Sequence, residues 1–157
     1  MFQQMRKKER ELSRPEAEEI LANGMYGILS MNAGDDYGYG VPLSYVFQDN
    51  SIYLHCALEG KKLTYLRRNN KVTFCVVGEA ESLPDKYSMK YKSVIVFGRA
   101  IEVNNQEEKV KTLIDLVKKY YTDPEHIKKG KEVAANFVDK TVVIRIDINH
   151  LTGKANR

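Results

Sequence analysis

Six segments of strand character, each closed off by turn-forming residues, limit this chain's fold more than any other feature. They are Tyr26–Met31, Val41–Gln48, Ser51–Ala57, Lys71–Val77, Tyr91–Val103 and Thr141–Ile148. The third shows the two-residue period most plainly. Ile52, Leu54 and Cys56 share one face, and Tyr53, His55 and Ala57 share the other. Asp49-Asn50 between the second and third is a tight-turn signal. Gly98, interior to the fifth, marks a bend or bulge, because a residue without a side chain lets another backbone come close. Asn32–Gly40 and Gly78–Met89, the latter containing Pro84, read as loops, and Leu151–Arg157 reads as a polar tail.

Helices fit between these strands. Ser13 followed by Glu16 is a capping box for a helix over Arg14–Asn23, which Asn23-Gly24 ends. Lys61–Asn69 turns Leu63 and Leu66 inward. Gln106–Tyr121 carries Val110, Leu113, Ile114, Val117 and Tyr121 at helical spacing. Its first turn is acidic and its last turn basic, which suits the helix dipole. A fourth helix spans Glu125–Phe137, weakened by Gly130. Short connections between strands, with helices inserted, predict a mainly β fold: a six-stranded antiparallel barrel with peripheral helices. There is no repeat and no linker, so residues 1–157 are expected to form a single domain.

The formal net charge of +4 is modest, and much of the excess lies in Arg6–Arg10 and Lys128–Lys131. No basic stripe with interleaved aromatics appears, so a nucleic-acid partner is not expected. No apolar run approaches the roughly 18 residues that cross a bilayer, so no membrane partner is expected either. The basic start leads into no apolar segment of the secretory type. Two cysteines make no disulfide framework, and the cytoplasm is the default compartment. No His, Cys or carboxylate cluster has metal-ligand spacing, so no metal is expected.

One local anomaly points to chemistry. Gly60-Lys61-Lys62 places two cations where a helix begins, at the positive end of its dipole. An anion would neutralise them, and a phosphate could take the free N–H groups and both ammoniums together. His55 stands just upstream, at the end of a strand.

Several segments in order resemble the pyridoxamine-phosphate-oxidase-like FMN-binding family. They are Gly40–Val46, Ile52–Ala57, Gly60–Leu63, Asn69–Val72, Tyr91–Ala100 with Glu108-Lys109, and Leu151–Lys154. The His55 and Thr152-Gly153-Lys154 features are most similar to its nitroimidazole-resistance branch. The resemblance covers nearly the whole chain from about Leu12 and implies a split β-barrel, FMN as cofactor and a homodimer. It implies that Val41, Pro42, Leu43, Ser44 and Tyr45 run along the flavin ring and supply backbone hydrogen bonds. Lys61 and Lys62 would hold the phosphate. His55 would stand near the ring and the substrate and is the candidate catalytic residue. Ser93 would touch flavin across the dimer interface. True pyridoxamine phosphate oxidases carry a C-terminal Trp segment and an Arg-rich substrate site, and this chain has no Trp. The implied activity is therefore an FMN-dependent oxidoreductase on a small redox substrate, a nitro compound among the options. The alternative is a flavin- or haem-holding sensor or carrier without turnover. Tyr37 and Tyr39 in the Asn32–Gly40 loop could stack on a flat ring, and Asp35 and Asp36 there would disfavour anionic substrates.

Overall fold

The computed structural model describes residues 2–34 and 37–157. Its strands are β1 (Gly27–Met31), β2 (Tyr39–Leu43), β3 (Val46–Gln48), β4 (Ser51–Ala57), β5 (Lys71–Leu83), β6 (Ser88–Glu102) and β7 (Thr141–Asn156). They form one antiparallel sheet in the order β2-β1-β5-β6-β7-β4-β3. The helices are α1 (Arg14–Asn23), α2 (Lys61–Arg68), α3 (Gln106–Tyr120) and α4 (Pro124–Phe137).

The mainly β architecture with peripheral helices is as expected, but the described strands number seven rather than six. Val41–Gln48 is not one strand. Leu43 pairs with Gly27 in β1, and Val46 pairs with Tyr53 in β4. These pairings lie at opposite margins of the sheet, and Ser44 and Tyr45 alone carry the chain between them. Consecutive Cα atoms are about 3.8 Å apart, so Leu43 and Val46 can be separated by no more than about 11 Å. The sheet must curl until its margins nearly meet. The result is a barrel left split at this crossing.

Two more expectations are corrected. Gly78–Met89 is not a loop: β5 and β6 continue as a hairpin arm to Leu83 and Ser88. The arm is largely exposed, so it lacks the alternation that would mark strands, and it is held by the ladder and a Glu79–Lys90 ion pair of 2.9 Å. Leu151–Arg157 is not a tail: β7 runs on to Asn156 beside β6. Its inward residues there are small because α1 and the segment before it lie close. A Cβ on Gly153 would stand 2.9 Å from Leu12 Cβ and 3.0 Å from Ala17 Cβ.

Inward-facing Leu29, Ile52, Leu54, Phe74, Val76, Val94, Val96, Ile144 and Ile146 fill the barrel. Helix α1 adds Ala17 and Leu21 to this core, and α2 adds Leu63 and Leu66. The Ser13–Glu16 capping box forms as expected. A second core lies outside the barrel, where Tyr53 and Val143 meet Leu113, Leu116, Ala134 and Val138. Arg145 pins α3 there, bonding the Glu108 carboxylate at 2.9 Å and Asp147 at 2.6 Å. The Tyr53 hydroxyl donates to the same Glu108 oxygen at 3.2 Å.

Gly98 fulfils its expected role. Phe97 pairs with His150 and Gly98 with Ile148, so Asn149 is the extra residue of a bulge on β7. A Cβ on Gly98 would lie 2.4 Å from the Asp147 carbonyl oxygen. Gly98→Ala should therefore cost about 1–3 kcal/mol, the usual cost of overpacking. It should appear as a lower urea midpoint at unchanged slope, and an unchanged midpoint would show that the bulge does not need the glycine.

Candidate functional site

The split leaves two unpaired strand margins. β3 covers only Ser51–Tyr53 of β4, so Leu54–Ala57 has no strand neighbour on that side among the described residues. β2 likewise ends the sheet beyond β1. Alternate residues of such margins turn N–H and C=O groups outward. The two margins run from the Ser44-Tyr45 crossing on either side of the split, a wedge between β2 and β4.

Helix α2 follows β4 at the end of that wedge away from the crossing. Gly60, its N-cap, has φ of 146°, a region that favours glycine. The first turn of α2 has no acidic residue. Lys61 reaches across to β2, its Nζ 4.6 Å from the Tyr39 ring centroid, and also lies 5.5 Å from that of Tyr65. Lys62 acts on β4. Its charge helps to depress the His55 pKa and opposes the upward push that burial gives the Cys56 thiol.

The apex is clamped from outside. The Tyr45 N–H donates to the Tyr120 hydroxyl at 3.0 Å, and that hydroxyl donates to the Met25 carbonyl at 2.7 Å. Lys119 Nζ donates to the Tyr45 carbonyl at 2.9 Å and lies 3.6 Å from the Tyr45 ring centroid. Burial pushes Lys119 down to about 8, while the ring face and the carbonyl favour its charged form. The Tyr45 side chain is fully buried, and its hydroxyl donates to the Leu21 carbonyl at 2.6 Å.

His55 lies on the outward face of β4, exposed, and burial of part of its ring lowers its pKa below 6.5, with Lys62 adding to the effect. Together with Ser44 it borders a groove of about 800 Å³ between the barrel and helices α3 and α4. Leu116, Tyr120, Val133 and Phe137 contribute to the groove's apolar walls. α4 approaches α3 closely at Gly130, where a Cβ would stand 2.5 Å from a Val117 methyl.

The pyridoxamine 5'-phosphate oxidase sequence model matches residues 13–155. The chain belongs to the pyridoxamine 5'-phosphate oxidase family. A search of curated proteins finds no sequence match. Among solved structures, a provisionally named 5-nitroimidazole antibiotic resistance protein from Bacteroides thetaiotaomicron superposes with a TM-score of 0.77 at 21% identity, covering 92% of this chain and 85% of its own. An FAD-binding protein from Mesorhizobium loti gives 0.67 at 23%, covering 94% and 98%. An FAD- and haem-binding protein from Mycobacterium smegmatis gives 0.73 at 12%, covering 94% and 74%. At these identities the likeness is one of fold, the split barrel of this family. No described helix is long and apolar enough to cross a membrane.

On this family fold, Val41, Leu43, Ser44, His55, Lys61 and Lys62 stand around the wedge. Val41 and Leu43 turn their side chains toward the barrel core, whereas Pro42, like His55, faces outward, in a row that runs Pro42, Ile28, Cys75, Ile95, Thr152 across five strands. Tyr45 has its ring in the core and both backbone polar groups engaged by α3. Ser93 lies elsewhere: its partner on β7 is Lys154, eleven residues (154 − 143) from Val143, the partner of His55. Tyr39 is held between β2 and Lys61, Tyr37 is exposed, and Asp35 and Asp36 lie outside the described residues. Tyr121, placed by spacing on the inner stripe of α3, instead follows the helix end and is exposed.

Lys119, Tyr120 and Gly130 were missed by sequence reasoning. Gly130 carried the signal, since a glycine inside a helix often marks a close contact. Two outcomes follow. Tyr120→Phe leaves the Tyr45 N–H and the Met25 carbonyl without this partner and should cost about 1–3 kcal/mol in urea unfolding. No loss would show that the clamp is dispensable. His55 should titrate below 6.5 by NMR, so its contribution to stability rises with pH up to 6.5 and is lost on acidification. Lys62→Gln should move the titration partly back toward 6.5, and an unmoved titration would refute the coupling.

Proposed function

We propose that the chain is a cytoplasmic, FMN-dependent oxidoreductase that acts as a homodimer on a small redox substrate, nitro compounds included. The observation that carries this reading is the wedge: two unpaired strand margins that flank the split beside a helix beginning Gly60-Lys61-Lys62. Backbone groups of Val41 and Leu43 suit the polar edge of a flavin ring. The first N–H groups of α2 and the Lys62 ammonium suit one phosphate. Lys61 lies over the Tyr39 ring on the opposite margin, so the cofactor's charge falls mainly to Lys62. Both cysteines are free thiols, in keeping with a reducing compartment.

When bound, the flavin supplies the electron chemistry. The chain's own residues bind it, orient it and exclude water. His55, neutral above its lowered pKa, offers one ring nitrogen as donor and the other as acceptor beside the site. That makes it the catalytic candidate for moving a proton to or from the substrate.

Ser93 supports the dimer. At about 3.3 Å per residue, the eleven residues on β7 that separate the His55 and Ser93 partners span about 36 Å. That extended length exceeds the reach of one flavin, which favours a second copy as the source of the role implied for Ser93. Val77 and Ile95 leave the sheet's outer face apolar and exposed near Ser93, and two-fold dimers are the commonest assembly. A second reading is a haem-holding carrier. The exposed, neutral His55 could ligate iron, and a haem-binding protein shares the fold.

The purified protein should bind FMN and scatter light as a dimer. Lys62→Glu should weaken FMN about 10–100-fold, the equivalent of about 1.5–3 kcal/mol for a charged hydrogen bond. Unchanged affinity would move the phosphate elsewhere. Under anaerobic conditions the reduced protein should be reoxidised by a nitroimidazole faster than free FMN is. A haem-type absorption band that His55→Ala abolishes, with no flavin bound, would favour the carrier.

A further inference from the structure

The groove between α3 and α4 meets the wedge at Ser44 and His55, and its other lining residues take no part in the proposed flavin contacts. We propose that it is the substrate pocket of that flavin site and selects flat aromatic molecules carrying an anionic group, against the preference expected from Asp35 and Asp36, which lie outside the described residues. The assignment rests on the flavin reading for what happens to the substrate, but not for where the substrate sits.

Three features of the groove determine the ligand. Its walls are apolar and partly aromatic. Tyr121, Val133 and Phe137 are 54%, 47% and 50% exposed, far more than a helix pair needs to leave open. Flat rings match such walls, because aromatic faces pack best offset or edge to face. The close approach at Gly130 and Val117 holds the two helices together at one point. The groove is therefore a permanent feature of the helix pair.

The titratable nitrogen groups of the lining are one lysine and two histidines. Lys129 and His126 come from α4, His55 from β4, and no carboxylate lines the groove. Asp123 lies 4.0 Å from His126 Nδ1, which leaves Lys129 as the cation without an ion pair among the described residues. Lys129 and His126 occupy one face of α4, three residues apart. A carboxylate at this rim, with its ring along Phe137 and Leu116, would direct the opposite end of the molecule toward His55 and Ser44. The groove thus has an anionic end at α4 and a reactive end at the split.

The test compares 4-nitrobenzoate with 4-nitrobenzyl alcohol, which share the ring and the nitro group and differ in charge. Binding to the oxidised protein is read by calorimetry, where no turnover intervenes. Flavin content is read separately from the visible spectrum. The carboxylate should bind about tenfold more tightly than the alcohol, roughly 1.4 kcal/mol. Lys129→Glu should abolish or reverse that preference while leaving the alcohol's affinity and the flavin content unchanged. Val133→Arg, which fills the groove, should remove binding of the alcohol. Equal affinities in the native protein, no binding of either compound, or a preference that survives Lys129→Glu would overturn the pocket. So would alcohol binding that survives Val133→Arg. Loss of flavin binding with groove binding intact would instead sink the flavin reading alone.

Discussion

The crossing at Ser44-Tyr45 is the constraint on which the rest of the molecule depends. Two residues join strands at opposite margins of a seven-stranded sheet, so the sheet has to curl, and its margins stay unpaired among the described residues. Tyr45 anchors that crossing by placing its ring in the barrel core against Phe74, with centroids 4.9 Å apart. An aromatic side chain buries about 150–250 Å², which at about 25 cal/mol/Å² is on the order of 4–6 kcal/mol before entropy is counted. Helix α3 seals the same point from outside through Tyr120 and Lys119. The outer helix layer therefore fixes the apex of the wedge as well as covering the sheet.

Electrostatics around the split follow from that geometry. Lys61 is drawn across the opening by the Tyr39 ring, while the Lys62 charge acts on His55. Burial and this neighbouring cation both disfavour a charged imidazole. A neutral His55 beside a cationic helix start separates the roles in the proposed site: charge recognition on α2, proton chemistry on β4. The α3–α4 groove, which His55 borders, adds a second cationic point at Lys129.

Much of this was legible in the sequence because each signal was local. The Ser13–Glu16 cap, the alternation over Ile52–Ala57 and the glycine at position 98 each report a contact made within a few residues or across one neighbouring strand. The break within Val41–Gln48 was not legible. Apolar residues continue on both sides of it, and only pairing with distant β1 and β4 distinguishes the halves. The hairpin arm was hidden because it is exposed on both faces, and the end of β7 because its buried positions are Gly153 and Ala155 rather than large apolar residues. Around the site, Lys61 and Lys62 announced themselves as misplaced charge. Tyr120 gave no such signal, since its hydroxyl partners lie 75 and 95 residues away.

The central claim is that one flavin site draws its Lys62 side from one protomer and its Ser93 side from another. Mixed dimers test it most directly. Lys62→Glu chains and Ser93→Arg chains, each expected to bind FMN weakly as a homodimer, are unfolded together, refolded as a mixture and titrated with FMN. The account predicts that binding returns at native affinity with one site per mixed dimer, because each such dimer rebuilds one site from two unaltered halves. Mixed dimers that form and bind no FMN, or a Ser93→Arg homodimer that binds FMN as the native protein does, would contradict it.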